Sequence, residues 1–222
     1  MLGRLWLAFL RLAFHLFYNS FALTYDLVSV IVSRGHWRAW TRAALPHIVG
    51  TRVLEIPCGT GNLLLDLRAA GYAPIGVDLS AAMLNITRGK FCRVAHPERN
   101  AVESQGVPIL RARVQALPFP TGAFDSITMT FPPGFVRDQR AFAELRRVLD
   151  DDGRLIWVDA ARLLPRDGVS RLLNAALDAV GGSGMAFEDF AREILSRAGF
   201  ASKIERMQDD TSVVIVVIAT KE

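Results

Sequence analysis

A glycine turn preceded by an acid is the first feature of the sequence that could bind a ligand. In VLEIPCGTGNLLLDL (53–67) a buried strand ends at Glu55, and a helix follows the turn that holds Gly59 and Gly61. Glycine lets the backbone approach a ligand closely, and the start of a helix offers unpaired N–H groups. A dinucleotide fingerprint needs a third glycine where Leu64 stands, and a Walker loop needs Gly-Lys-Ser/Thr. The turn therefore favours a nucleoside ligand without a pyrophosphate.

A second acid closes the next strand, in Gly-Val-Asp-Leu-Ser. Asp78 stands 17 residues after Gly61. A carboxylate at this strand end can accept hydrogen bonds from both ribose hydroxyls of a nucleoside that lies across the sheet edge. Leu79 and Met83 could then contact one face of the adenine. The alternative is that Asp78 or Ser80 only caps the following helix.

Short β-rich runs alternate with helical stretches from residue 52 onward. Strands are predicted at 52–56, 73–78, 108–114, 124–131 and 154–160, with helices beginning at Asn62, Ser80 and Arg137. This alternation is typical of a parallel sheet with right-handed crossovers. The end of the chain differs, because only three residues separate the runs 201–207 and 211–220, after a helix over Phe187–Arg197. So short a link permits only an antiparallel hairpin.

The N-terminal segment carries the whole net charge. The first fifty residues hold five arginines and one aspartate, against a formal net charge of +4 for all 222 residues. Residues 1–18 are mostly apolar, with Arg4, Arg11 and His15 on one stripe of a predicted helix. An arginine in the middle argues against a transmembrane span, and no cleavage site for a signal peptide follows. Two hypotheses remain: the helix lies on a membrane surface, or it packs as a lid or against a second subunit of a homodimer.

Composition narrows the class of protein. Apolar residues make up 51% and charged residues 22% of the chain, which is typical of a globular domain. Two cysteines are too few for a disulfide framework, so the cytoplasm is the expected compartment, with peripheral contact at the inner face of the membrane. No spacing of histidines and cysteines indicates a metal site. No nucleic-acid partner is expected.

Three motifs in order carry a resemblance to a known family. They are Glu55 to Gly61, then Asp78, then Ala-Leu-Pro-Phe-Pro followed by Phe-Asp within 114–131. With this order, residues 50–220 resemble the class I methyltransferases that use S-adenosylmethionine (SAM). The resemblance implies an α/β fold: a doubly wound, mostly parallel seven-stranded sheet of order 3-2-1-4-5-7-6, with the last strand antiparallel and extra N-terminal helices. Residues 1–48 would form a helical cap and 49–222 the SAM-binding domain.

The resemblance also implies which residues bind the cofactor. Glu55 and the carbonyl groups near Pro57 would face the methionine part, Asp78 the ribose, and Ala116 the adenine beside Leu79 and Met83. The full predicted set is Glu55, Pro57, Cys58, Gly59, Gly61, Asp78, Leu79, Met83, Gln115, Ala116 and Thr130.

The sequence departs from the family pattern at two cofactor positions. Pro57 stands where the family usually has glycine, but proline keeps the carbonyl that a SAM ammonium needs. Arg113 stands where an acid often holds the adenine amino group, so Gln115 or the backbone of Ala116 would have to replace that contact.

A narrower resemblance lies upstream and points to the methyl acceptor. The stretch YDLVSVIVSRGHWRAW (25–40), predicted to lie on helices over 20–33 and 36–45, is similar to the ubiquinone/menaquinone C-methyltransferases. It implies that Tyr25, Asp26 and His36 lie near the methyl group, as candidates for removing a proton from the acceptor. The chain is therefore expected to methylate a small hydrophobic acceptor, quinone-like or lipid.

Two other functions stay open. An amino-methylating enzyme carries (Asp/Asn)-Pro-Pro-(Tyr/Phe) after strand four, and Phe131 replaces the polar first residue, so the segment 131–135 is interpreted as an apolar wall. A non-catalytic module that binds SAM or a nucleoside, and acts through its N-terminal helix, would tolerate the departures at Pro57 and Arg113.

Overall fold

The computed structural model describes residues 22–94, 106–181 and 184–222, so the helix predicted over residues 1–18 lies outside it. Its strands are β1 Arg52–Glu55, β2 Ala73–Asp78, β3 Ile109–Arg111, β4 Phe124–Thr130, β5 Leu149–Leu163, β6 Phe200–Gln208 and β7 Ser212–Lys221. They form one sheet of order β3-β2-β1-β4-β5-β7-β6, which confirms the predicted fold.

The register brings the ends of the central strands to one edge. β1 lies between β2 and β4, parallel to both, and Glu55 pairs with Gly76 on one side and Thr128 on the other. β7 runs antiparallel to β5 and to β6, as the short link before it requires. The carboxylate of Asp209 stabilises that link by accepting the N–H groups of Thr211 and Ser212 at 2.7 Å each.

Helices connect the strands and precede them. They are α1 Ala22–Val32, α2 Trp37–Arg42, α3 Asn62–Ala69, α4 Ala81–Val94, α5 Gln139–Val148, α6 Gly168–Gly181 and α7 Gly184–Arg197, with 3-10 turns at Leu45–His47 and Gly134–Arg137. No helix within these ranges combines the length and the apolar character needed to cross a membrane.

Three elements differ from the sequence prediction. β3 is three residues long rather than seven, because the chain turns back where Arg113 bridges to Ala116. β5 is longer than predicted and starts in the acidic run at residue 149, where Asp150 and Asp151 form ion pairs with Arg52 and Lys221. α6 was not predicted.

Buried apolar residues pack on both faces of the sheet. One cluster includes Leu54, Phe142 and Trp157, and the other includes Val53, Ile156 and Trp40. Alternate residues of β1 and β5 thus serve opposite faces, as the period of a β-strand requires. Trp40 brings α2 into the second cluster, and its indole N–H donates to Ser212 Oγ at 3.0 Å.

A cluster of ion pairs around Asp66 fixes α2 to α3, the helix that follows β1. Arg38 and Arg42 both donate to the carboxylate of Asp66, with N···O distances from 2.6 to 3.3 Å. Asp66 is buried, and burial opposes its charge, yet the two arginines lower its pKa. Removing either arginine would leave the buried negative charge of Asp66 less well compensated, so these ion pairs strongly favour the contact between α2 and α3. The N-terminal helices therefore have a defined place beside the sheet.

Candidate functional site

An open cleft of about 400 Å³ lies at the carboxyl ends of β1 and β4, where the N-terminal helices meet the sheet. Its lining comes from α1 and α2, from the turn after β1, and from the end of β4. The lining residues are Tyr25, Trp37, Thr41, Glu55, Pro57, Cys58, Gly59, Thr60, Asn62, Leu63, Thr130 and Phe131. A parallel sheet is expected to bind its ligand at this edge.

Glu55 is the residue of this cleft most in need of a partner. It ends β1 and is 2% exposed. The Leu64 N–H donates to its carboxyl group, but its buried Oε2 atom has no hydrogen-bond partner. Burial first, and then the charges of Asp78 and Asp66, raise the pKa of Glu55 well above its ordinary value. A cation that reaches Oε2 would supply the missing bond and favour the carboxylate.

The turn after β1 is pressed closely against α4. Gly61 has φ +77°, and a Cβ atom there would lie 2.4 Å from Cγ2 of Thr87. The Thr87 hydroxyl donates to the Gly59 carbonyl at 2.8 Å. Because both the backbone angle and the space exclude a side chain, position 61 requires glycine. The turn holds its carbonyl and N–H groups at the cleft by this packing.

Pro57 and Cys58 line the cleft, and the Ile56–Pro57 peptide bond is cis. Burial raises the pKa of the Cys58 thiol, so the side chain stays neutral. Its sulfur packs in a small apolar cluster with Leu64 and Leu84. Cys58 therefore contributes shape and backbone to the cleft rather than a nucleophile.

Asp78 is buried at the end of β2 and fixes the glycine turn. Its Oδ2 accepts the Gly59 N–H at 2.9 Å, and its Oδ1 accepts the Ser80 N–H at 2.8 Å. The bond to Ser80 is the one expected of a residue that caps the next helix. Asp78 ends β2 beside the glycine turn, the position for which the sequence predicts binding of ribose.

The predicted adenine contacts lie outside the cleft lining. Leu79 is largely exposed, whereas Met83 is fully buried in the protein. Gln115 donates to Asp138 Oδ2 at 3.1 Å, and the Ala116 N–H donates to the Arg113 carbonyl at 3.1 Å. Gln115 is thus paired with the residue that caps α5, and Ala116 is paired within its own turn.

Of the three candidates for a base, Tyr25 lies in the cleft. Burial, and then the charges of Asp26 and Asp78, raise the pKa of its hydroxyl, so the phenol stays protonated. Asp26 is held by donors from Thr60 and Lys90, both at 2.6 Å. Tyr25 is therefore suited to donating a hydrogen bond rather than removing a proton.

His36, the third candidate for a base, contacts the hairpin turn between β6 and β7. Its Nε2 atom lies 3.2 Å from the hydroxyl of Thr211, and its ring stacks on Trp40 at 6.1 Å between centroids. Its Nδ1 atom is 3.9 Å from Asp209. His36 thus fastens the start of α2 to the hairpin turn and is not among the cleft residues. The segment 25–40 bends between the two helices, which separates His36 from Tyr25.

Aromatic rings form one wall of the cleft. The rings of Trp37 and Phe131 stack at 4.4 Å, and Tyr25 meets Trp37 edge to face at 6.1 Å. Phe131 has φ +47°, a costly angle for a bulky residue, and its N–H donates to the Val158 carbonyl at 2.9 Å. Of the predicted apolar wall 131–135, Phe131 is the member that lines the cleft.

Some cleft residues, and Lys90, which donates to one of them, were not among the predicted cofactor-binding residues. Thr60 and Asn62 lie beside the glycine turn, so their position in the motif could have identified them. Trp37 and Thr41 are four residues apart and share one face of α2, a helical spacing visible in the sequence. Lys90 carries no such signal, because its contact with Asp26 joins residues 64 apart.

Comparison with known proteins agrees with this geometry. Residues 54–157 match a family model described as a methyltransferase domain. A demethylmenaquinone methyltransferase of Symbiobacterium thermophilum is 34% identical over 157 residues, which cover 67% of this chain and 59% of that protein. A ubiquinone/menaquinone biosynthesis C-methyltransferase of Geotalea uraniireducens is 31% identical over 149 residues, covering 64% and 60%. The chain thus spans about three fifths of the length of these curated relatives.

The fold has solved counterparts. A SAM-dependent methyltransferase from Thermotoga maritima, described as a possible histamine N-methyltransferase, has a TM-score of 0.64 at 22% identity, covering 94% of this chain and 99% of that one. The matched domain and the shared fold confirm the resemblance to class I SAM-dependent methyltransferases.

Proposed function

We propose that the cleft binds SAM and that the protein transfers its methyl group to a small hydrophobic acceptor. The buried, unpartnered Oε2 of Glu55 carries this proposal, because the amino-acid end of SAM carries an ammonium group that would donate a hydrogen bond to it. The neighbouring carbonyl groups of Pro57 and the turn would accept the other ammonium protons. When bound, SAM supplies a methyl group already activated on a sulfonium. The chain's own task is then to align the acceptor and exclude water.

The aromatic wall supports a flat, apolar acceptor. Trp37, Phe131 and Tyr25 present ring faces and edges that suit a quinone-like ring. Phe131 offers no side-chain acceptor for an amino group, which disfavours amino methylation. The names of the two relatives described above, a demethylmenaquinone methyltransferase and a ubiquinone/menaquinone biosynthesis C-methyltransferase, also support a quinone-like acceptor. Tyr25 lines the cleft and its raised pKa keeps the hydroxyl protonated, which supports a role in donating a hydrogen bond to an acceptor oxygen.

An exposed apolar patch supports peripheral membrane contact, in addition to the predicted helix over residues 1–18. On α1, Leu27 is 62% exposed and shares a stripe with Val30 and Ile31. On α6, Leu172 is 71% exposed. Arg34 joins the two helices by donating to Asp167 and Ser170. The patch further contains Val169 and is flanked by the exposed residues Arg166 and Arg171.

These charges determine the occupant that we propose for the patch. Arg34 pairs with Asp167, and Arg166 and Arg171 add two exposed positive charges beside the apolar residues. Apolar side chains within a basic surround fit an anionic lipid surface. Leu27→Glu together with Leu172→Glu should then reduce co-sedimentation with vesicles rich in anionic lipid. Met207→Glu, an exposed apolar position on β6, serves as the control and should leave sedimentation unchanged.

The experiment that tests methyl transfer uses SAM with a tritiated methyl group and a reduced naphthoquinol bearing an isoprenoid tail. We expect tritium in the organic extract with the wild-type protein, and about tenfold or more less with Glu55→Gln at a fixed, subsaturating SAM concentration. A lipid extract is tested as acceptor in parallel. If the wild type binds SAM but labels neither acceptor, the catalytic proposal fails and a SAM-binding module is the better description.

A further inference from the structure

Asp26 on α1 is bound by donors from three other elements, which are the turn after β1, α3 and α4. Its Oδ1 accepts from the Thr60 hydroxyl at 2.6 Å and from Asn62 Nδ2 at 3.0 Å. Its Oδ2 accepts from the Lys90 ammonium at 2.6 Å. Lys90 also donates to Asn62 Oδ1 at 2.6 Å. Four side chains thus form one closed network, which joins α1 to the turn after β1 and to α4.

The network touches the part of the molecule that faces the cofactor site. Thr60 follows Gly59 in the turn, and Asn62 is the first residue of α3, where the helix dipole favours a negative charge. Both residues line the cleft. Lys90 is less than a quarter exposed, so its bond to Asp26 is screened less than a surface ion pair. Any movement of α1 away from the sheet must break this network.

The neighbour of Asp26 in sequence gives the network a consequence for the site. Tyr25 precedes Asp26 on α1 and lines the cleft together with Thr130 and Glu55. A helix moves as a rigid unit over so short a distance, so fixing Asp26 fixes the Tyr25 ring and its contact with Trp37. The far end of α1 has a separate attachment, through Arg34 to Asp167.

We propose that Asp26 and Lys90 are positioning residues, which hold α1 on the cofactor turn and so keep Tyr25 and the turn in one arrangement. This inference rests on the proposed function, because it takes the turn as the cofactor site. It replaces the earlier hypothesis that Asp26 removes a proton from the acceptor.

The protonation state of Asp26 agrees with a positioning role. Burial opposes its charge, yet the hydrogen bonds from Lys90, Thr60 and Asn62 lower its pKa. A base must give up one of these bonds to take a proton, and a lowered pKa makes the carboxylate a weaker base. The same bonds favour a fixed carboxylate that orders its neighbours.

Hydrogen exchange of the ligand-free protein tests the attachment directly. In Lys90→Met, amides of α1 should exchange about ten- to a hundredfold faster than in the wild type, the factor that loss of a charge-assisted hydrogen bond implies. Exchange in α5 and α7 should stay unchanged, and Lys90→Arg should restore most of the protection. Unchanged exchange of α1 in both Lys90→Met and Asp26→Asn would overturn the proposal.

Titration with S-adenosylhomocysteine separates positioning from simple anchoring. Since ligand binding and α1 docking share the turn, Lys90→Met should weaken affinity by about tenfold, and the ligand should protect α1 in the wild type. Arg34→Met is the matched control, because it cuts the other attachment of α1 and should keep affinity within about twofold. If both variants loosen α1 and both keep wild-type affinity, α1 is only anchored and the proposal fails. If the wild type itself ignores the ligand, the proposed function fails, while the exchange comparison still decides whether the network holds α1.

Discussion

Replacing Glu55 by glutamine should change the stability of the fold and the affinity for SAM in opposite directions. In the ligand-free protein the buried carboxyl has a raised pKa, so the folded state holds a proton that the unfolded chain releases. Stability that is present at low pH is therefore lost as the pH rises from the ordinary value of a glutamate towards the raised pKa. Glutamine does not ionise, so Glu55→Gln should gain stability relative to the wild type at pH 7, and this gain should shrink as the pH falls and disappear near pH 4.5, the ordinary value of a glutamate.

Binding should change in the opposite direction. The SAM ammonium gains a charge-assisted hydrogen bond from Glu55, worth about 1.5–3 kcal/mol, and glutamine offers only a neutral carbonyl. We expect SAM affinity to fall by about ten- to a hundredfold in Glu55→Gln. Because the ammonium favours the carboxylate form of Glu55, whose pKa is raised in the ligand-free protein, binding should also release protons from the wild type, and its affinity should rise with pH.

Calorimetry in two buffers of different protonation enthalpy measures both effects. At about pH 6.5 the α-amino group of SAM is still charged, so the released proton comes from the protein. Thermal melts of the two ligand-free proteins complete the comparison. The reasoning is refuted if Glu55→Gln binds SAM as tightly as the wild type and the wild type releases no proton.

Three further predictions concern other parts of the molecule. Asp78→Ala should lower the melting temperature and weaken SAM binding by about 1–3 kcal/mol, since two N–H groups and the ribose lose their acceptor; a lower melting temperature with unchanged affinity would leave only the cap. Burial raises the pKa of Asp159 to about 6. The free energy of unfolding of the wild type should therefore fall by about 3 kcal/mol as the pH rises from 3.8 through 6. Asp159→Asn lacks this loss, so in urea unfolding it should gain about that much stability relative to the wild type between pH 4 and pH 8. An unchanged difference across that range would contradict the burial argument. Deleting residues 1–18 should abolish sedimentation with anionic vesicles and largely keep SAM affinity, whereas a changed subunit count without vesicle binding would indicate a lid or dimer interface.

The sheet could be predicted from the sequence because its signals are local. Strands and helices alternate after residue 52, and a three-residue link forces the last two strands to be antiparallel. The missed α6 also had a local signal, since Asp167 accepts the Ser170 N–H at 2.7 Å in the manner of a helix cap. The length of β5 had no local signal in the sequence, because its first residues pair with Arg52 and Lys221, which are distant in the chain.

The candidate site was predictable where motif and chemistry coincide. Glu55, Pro57, Cys58 and Gly59 come from one continuous run, and all line the cleft. The aromatic wall depends on how α2 packs on β4 and β5, which brings Trp37 onto Phe131, and no spacing in the sequence encodes that distance. The same packing moves His36 to the hairpin turn.

The proposed function requires the ammonium of SAM to pair with Glu55 in the cleft between α1, α2 and the edge of the sheet. A crystal structure of the protein with S-adenosylhomocysteine tests it most directly. We expect ligand density in the cleft, with the amino-acid nitrogen within about 3 Å of a Glu55 carboxylate oxygen and the ribose at Asp78. Density for the ligand elsewhere, or a bound nitrogen without contact to Glu55, would contradict it.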